Sequence, residues 1–122
     1  MAAIPDLMSY VQRAIDVGLP APTARSGATS GDPRESAVVL HKDDTLEIGV
    51  WECSPGVFPG ARPGYNEFMV VVKGAGSIAT TGGETIEFEP GTVFFTLDGW
   101  TGQWDVRESI RKVYAIWNDT RA

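Results

Sequence analysis

Hydrophobic spacing in this chain changes character once, near residue 35. Before that point Ile4, Met8, Val11 and Ile15 recur at helical spacing, with Pro5 and Asp6 as a start signal and Gly18 as a stop. The pattern predicts one short amino-terminal helix with a single apolar stripe. Residues 19–35, LPAPTARSGATSGDPRE, are rich in Pro, Gly, Ser and Thr and carry no hydrophobic period, the composition of a flexible surface arm. Residues 1–35 are therefore expected as helix and arm, and residues 36–122 as the folded unit.

Past residue 35 the helical period gives way to short β-rich runs separated by turn signals. These are SAVVLH, TLEIGVWEC, YNEFMVVVK, GSIAT, ETIEFE, TVFFTL, GQWDV and IRKVYAIW. Eight strands at this density predict an all-β sandwich or barrel. Lys42, Asp43 and Asp44 mark one hairpin turn and Thr81, Gly82 and Gly83 another. In ETIEFE, Ile86 and Phe88 alternate with Glu87 and Glu89, so one face meets water. In YNEFMVVVK both sides are apolar, Met69 and Val71 against Phe68, Val70 and Val72, which calls for cover on both faces. The helix or a symmetry-related subunit would provide it. The helix is expected on the outer face of its own barrel, with a homodimer as the expected assembly.

Composition narrows the class without identifying a chemistry. The chain of 122 residues is long enough for one core without disulfides or a structural metal. Its net charge of −6, with the ten Lys and Arg scattered, argues against nucleic-acid binding. No apolar run approaches the ~20 residues that a membrane helix needs, and the first residues lack a secretory pattern. With the lone Cys53, this leads to the expectation of a cytoplasmic protein without a membrane partner. Cys53 has no basic neighbour in sequence and follows an apolar strand, the setting of an inert buried thiol.

Two glycine-punctuated modules carry a resemblance. The first runs GVWECSPG at 49–56, then Tyr65 and Glu67 leading to the KG pair at 73 and 74. The second has PG at 90 and 91 and GWTGQW, followed by RKVYAIW. Over about residues 44–117 the chain resembles the cupin superfamily, in particular its small single-domain Cupin_3 or DUF861 group, related to ethanolamine-utilisation cupins. The resemblance implies a double-stranded β-helix, a jelly-roll-like barrel with a ligand cavity in its mouth. It also implies where a metal would be held, by histidines and a glutamate. At the upstream histidine positions this chain has Gly60, Ala61, Arg62, Pro63 and Gly64, and at the downstream one Gly102. Only Glu67 remains, Arg62 would repel a cation, and the single histidine, His41, lies outside both modules. No metal and no cofactor are expected.

Strand alternation then populates the cavity. If Glu67 points inward as its family counterpart does, Tyr65 and Met69 follow it, and Gly102 brings Trp104 and Val106. On the last strand Lys112 and Tyr114 share a face. A buried carboxylate needs a partner, and Lys112, Tyr65 and Tyr114 are the candidates. Trp100, after Gly99 in a turn, is the tryptophan expected to contact a ligand, while Trp51 and Trp117 are expected to be packing. The sequence therefore predicts a small-molecule-binding cupin without the histidine metal site. Its ligand would be small and polar, sugar-like or amine-bearing, with Tyr65, Met69, Trp100, Trp104, Lys112 and Tyr114 as the contacts. The alternative is a metal-independent isomerase, epimerase or lyase with Glu67 as catalytic general base. A scaffold whose cavity is filled by side chains remains open as well.

Overall fold

A computed structural model describes residues 12–118. Nine strands run through them: β1 (Thr23–Ala24), β2 (Ser30–Gly31), β3 (Arg34–Lys42), β4 (Leu46–Cys53), β5 (Gly56–Ala61), β6 (Asn66–Thr80), β7 (Thr85–Phe88), β8 (Val93–Thr96) and β9 (Thr101–Trp117). All pairings are antiparallel. Two strands are longer than the hydrophobic runs suggest, because β6 joins YNEFMVVVK to GSIAT and β9 joins GQWDV to IRKVYAIW. The register of β6 against β9 shifts around Lys73 and Ala75. Gly74 lies there with a φ of +98°, and a Cβ on it would sit 2.3 Å from the Ser109 carbonyl oxygen. Only glycine fits such a bend.

The bend divides the structure into two facing sheets that share β6 and β9 and do not close into a cylinder. One contains β3, β4, the second half of β9, the first half of β6, and β8; the other contains β5, the first half of β9, the second half of β6, and β7. This is the all-β, jelly-roll-like architecture expected. The core between them is an aromatic and aliphatic cluster that includes Phe58, Met69, Val71, Phe88, Phe94, Trp104 and Ile110. Trp104 packs against Trp51, Phe58, Phe88 and Phe94 at centroid separations of 5.8–6.4 Å, distances at which aromatic pairs add to simple area burial.

The β3–β4 hairpin turn is built by Asp43, whose Oδ1 accepts from the backbone N–H groups of Thr45 and Leu46, each at 2.9 Å. Its Oδ2 lies 2.9 Å from His41 Nε2, and this contact with the backbone bonds holds the Asp43 carboxyl well below the usual carboxylate range. His41 is thus exposed in a hairpin, away from the barrel interior.

The first half of the predicted amino-terminal helix, up to residue 11, lies outside the described residues, and the second half is not an α-helix. What is described is a single 3-10 turn, Ala14–Asp16, flanked by extended Arg13 and Val17. Buried Arg111 fastens it to the outside of its own barrel: Nη1 donates to the carbonyls of Ala14, Ile15 and Val17 at 3.1, 3.1 and 2.7 Å, and Nε to Glu52 at 3.1 Å. The segment expected as a featureless arm carries two short strands, β1 on β3 and β2 on β5. Backbone pairing there needs no hydrophobic period, which is why the sequence pattern passed over it. No helix among the described residues is long and apolar enough to cross a membrane.

The outer side of β6 is only partly covered, with Phe68 40 % exposed and Val70 and Val72 half-buried. Val93, Phe95 and Leu97 extend this apolar surface across β8. Ile86, expected to share the buried face of Phe88, is exposed, whereas Phe88 is buried.

Candidate functional site

Register places the inward residues of the first sheet in rows. One row reads Glu47, Ile116, Glu67 across β4, β9 and β6; the next reads Gly49, Tyr114, Met69; the third reads Trp51, Lys112, Val71. Phe58 and Trp104 form a facing pair in the second sheet, their rings stacked at 6.4 Å. Between the sheets is a cavity of about 260 Å³. Its lining includes three acids, Glu35, Glu47 and Glu67, and three cations, Arg25, Arg62 and Lys112.

Glu67 is the centre of the deepest polar cluster. Its Oε2 lies 2.7 Å from Lys112 Nζ and its Oε1 3.1 Å from Arg62 Nε, with all three side chains 7–8 % exposed. The Lys112 ammonium is further enclosed by the indoles of Trp51 and Trp104, at 4.6 and 5.0 Å from the centroids, and by Met69 Sδ at 3.6 Å. Burial pulls the Lys112 ammonium below the ordinary lysine range; Glu67 opposes this and the Arg62 charge adds to it.

The turn before β6 supplies Arg62. Its N–H bonds the Trp100 carbonyl at 2.9 Å and its carbonyl accepts from Gly99 N–H at 2.8 Å, so the segment extends the β5–β9 ladder. Arg62 Nε also donates to Thr96 Oγ1 at 3.1 Å and Nη1 to the Ala61 carbonyl at 3.0 Å. Among the described residues its buried Nη2 has no hydrogen-bond partner.

Two further groups stand around this cluster. Tyr114 donates its hydroxyl to Glu47 Oε2 at 2.7 Å, and burial together with that carboxylate raises the phenol well above the ordinary tyrosine range. Gly49 makes room for the hydroxyl, since a Cβ there would meet it at 2.5 Å. Arg25, from the expected arm, donates to Glu35 Oε1 and the Pro59 carbonyl, both at 3.1 Å, and lies over the Phe58 ring at 4.9 Å. Trp51 Nε1 donates to the same Glu35 oxygen at 2.9 Å.

Among the residues singled out from sequence, Tyr65, Glu67, Trp104, Lys112 and Tyr114 meet around the cavity. Tyr65 is half-buried and donates to the Ala61 carbonyl at 3.3 Å. Met69 does not line the cavity: fully buried, it supports Lys112 from behind. Trp100 is also elsewhere. Its ring covers Arg62 at 5.2 Å, its Nε1 donates to Thr80 at 2.9 Å, and it borders a separate surface groove with Phe95 and Leu97. The turn carries it over the outside of the Gly60–Gly102 pair, where a Cβ on Gly102 would meet its ring at 2.4 Å. Trp51, expected to be packing, lines the cavity. Trp117 stacks on Phe95 at 5.6 Å.

Sequence reasoning did not assign Arg25, Glu35, Glu47, Trp51 or Phe58 to the site, and treated Arg62 only as repulsive to metal. A signal existed for two of them: Glu47, Gly49, Trp51 and Cys53 alternate on one side of β4, so an inward Cys53 implies an inward acid and indole. Cys53 itself is buried, and burial pushes its thiol up to about 11.

The residues present do not fit a histidine metal centre. Gly60 and Gly102 pair across β5 and β9 and offer no side-chain ligand, a Cβ on Gly102 would lie 2.2 Å from the Ala79 carbonyl oxygen, and Glu67 is bound by two cations. Among the described residues, no group of three or more His, Cys, Asp or Glu is arranged to hold a metal ion.

Comparison with known proteins agrees with this architecture. Residues 40–114 match the model of the EutQ-like cupin domain. The fold is similar to the EutQ protein of Clostridium difficile, with 20% identity, a TM-score of 0.62, and coverage of 72% of this chain and 65% of that one. It is similar to a DUF861-family protein of unknown function from Pseudomonas syringae pv. tomato, with 25% identity, a TM-score of 0.68, and coverage of 81% of this chain and 43% of that one. The polyketide cyclase RemF of Streptomyces resistomycificus shares the fold at 15% identity and a TM-score of 0.62, with coverage of 94% and 88%. This chain thus spans less than two thirds of the first two relatives. No curated protein matches it.

Proposed function

We propose, from the premise that this chain belongs to the EutQ-like cupin domain family, that it is a small-molecule-binding cupin working without a histidine metal site. Its ligand is small and polar, sugar-like or amine-bearing, and it sits between the two sheets. The observation that carries this reading is the cavity of about 260 Å³ whose walls combine ionic groups with indole and phenol rings. A scaffold with a side-chain-filled interior would leave no such space. Convergent polar groups on an otherwise aromatic wall are the usual composition of a ligand site. Because this fold hosts many chemistries, membership alone does not choose the ligand.

A second reading has its own observation. Glu67 and Lys112 stand 2.7 Å apart, and Lys112 is held below its ordinary range by burial. Such a pair suits proton transfer in a metal-independent isomerase, epimerase or lyase, with Glu67 as general base. A thermal-shift screen of sugars, amino alcohols and ureido compounds, followed by Glu67→Gln on any hit, separates the two. Loss of turnover with retained binding favours the enzyme; a hit without turnover favours the binder. No hit in any class counts against both.

The same proposal takes the protein as a cytoplasmic homodimer. A lone buried Cys53 suits a reducing compartment. The apolar stripe of Phe68, Val93, Phe95 and Leu97 is the surface that a second copy would cover. Light scattering that gives a monomer mass at micromolar concentration would remove the dimer.

A further inference from the structure

Charge is unevenly distributed within this cavity. One carboxylate, Glu67, serves two cations, Arg62 and Lys112, and all three side chains are buried. The other acids of the lining are engaged elsewhere: Glu35 accepts from Arg25 and Trp51, and Glu47 from the Tyr114 hydroxyl. Among the described residues neither forms an ion pair with Arg62 or Lys112. Glu47 and Glu67 flank Ile116 in the register, so their backbones are about 10 Å apart at ~4.8 Å per strand. The Arg62–Glu67–Lys112 triad therefore carries one positive charge more than its own carboxylate neutralises. A buried charge in that condition is costly, and a guanidinium does not discharge at any physiological pH. Among the described residues Arg62 Nη2 is also buried without a hydrogen-bond partner.

We infer that the ligand is a small carboxylate, its carboxylate group taking up the positive charge left over by this triad. The inference rests on the binding reading above and deepens it. A planar guanidinium beside an ammonium is the donor pair that suits a carboxylate, while the Trp51 and Trp104 rings provide walls for the remainder of the molecule. The volume sets the scale of the enclosed part: about 260 Å³ equals roughly nine water volumes at ~30 Å³ each, room for about nine heavy atoms between the sheets. The lowered proton affinity of Lys112 agrees, since its causes are burial and the neighbouring Arg62 charge, both of which a bound anion would offset.

The test is a titration of the full chain, followed by tryptophan fluorescence and calorimetry, with lactate, 4-aminobutanoate and benzoate, each beside its primary amide, and with inorganic phosphate. At least one acid is expected to bind about tenfold or more tightly than its amide, the discrimination that a charge-assisted hydrogen bond provides. Lys112→Met leaves Arg62 and Glu67 as a neutral pair and should erase that preference, bringing the acid-to-amide affinity ratio to about one; should this variant fail to fold, Arg62→Gln makes the same test. Amides binding as tightly as their acids would overturn the carboxylate assignment and leave the binding reading standing. Phosphate binding as tightly as the best acid would overturn it in favour of a general anion site. Silence from every compound at millimolar concentration would overturn the carboxylate assignment, while the binding reading would stand or fall with the screen of sugars, amino alcohols and ureido compounds.

Discussion

Replacing Glu67 by Gln removes the one anion shared by Arg62 and Lys112 while nearly preserving shape. Both cations are more than nine-tenths buried, and breaking a buried pair by deleting one partner costs about 3–5 kcal/mol. A ceiling applies to the lysine share. Lys112 escapes by losing its proton, which at pH 7 costs at most about 5 kcal/mol, the ~3.5 pH units to its ordinary 10.5 at ~1.36 kcal/mol each. Arg62 has no such escape. Against a total stability of about 5–15 kcal/mol, a loss of about 3–5 lowers Tm by roughly 12–20 °C. The sign with pH follows from linkage. In the variant, folded Lys112 holds its proton less firmly than the unfolded chain does, so stability rises with pH toward 10.5 and the deficit against wild type narrows. Urea unfolding of wild type, Glu67→Gln, Lys112→Met and the double variant between pH 7 and 10 reads all of this. The double variant should recover part of the loss, because one unpaired cation is gone. A Glu67→Gln deficit under about 1 kcal/mol, or strict additivity in the double variant, would refute the shared-anion argument.

Other consequences concern the supports of the site. Arg111→Met removes three carbonyl bonds and the Glu52 pair, and should cost about 2–4 kcal/mol and speed hydrogen exchange at residues 14–17; unchanged exchange would contradict the clamp. Gly102→Ala places a methyl 2.2 Å from the Ala79 carbonyl oxygen and against Trp100, so denaturant midpoints should fall by about 1–3 kcal/mol equivalent, and a neutral outcome would show that the Gly60–Gly102 approach is not tight. Tyr114, its phenol raised by burial and by Glu47, contributes stability that is fully present below its ordinary value of 10 and is lost above it. Tyr114→Phe should therefore flatten the alkaline fall in stability, and in an ultraviolet titration Glu47→Gln should move that phenol's ionisation to lower pH; no movement would sever the pair.

Local pattern and cross-strand register contributed differently to this picture. Alternation along a single strand was enough to turn Glu67 and Met69 inward together, and Lys112 with Tyr114, because side chains in a strand alternate faces whatever lies opposite. It could not tell which inward residue touches the cavity, so Met69 was expected as a contact although it lies beneath Lys112. Arg62 and Trp100 sit in turns, where alternation has no meaning, and their stacking depends on backbone bonds between residues far apart in sequence. Arg25 reaches the mouth from a stretch with no hydrophobic period, through strands of two residues each. The fold was legible because glycine spacing and strand density are local; the second cation on Glu67 was not, because it is a product of topology.

Metal content of the protein purified without chelator tests the central claim most directly, since it asks whether side-chain cations or an ion hold the Glu67 carboxylate. The account predicts far less than one equivalent of any transition metal and a melting temperature unmoved by added chelator. One equivalent of tightly held iron, manganese, nickel or zinc would contradict it.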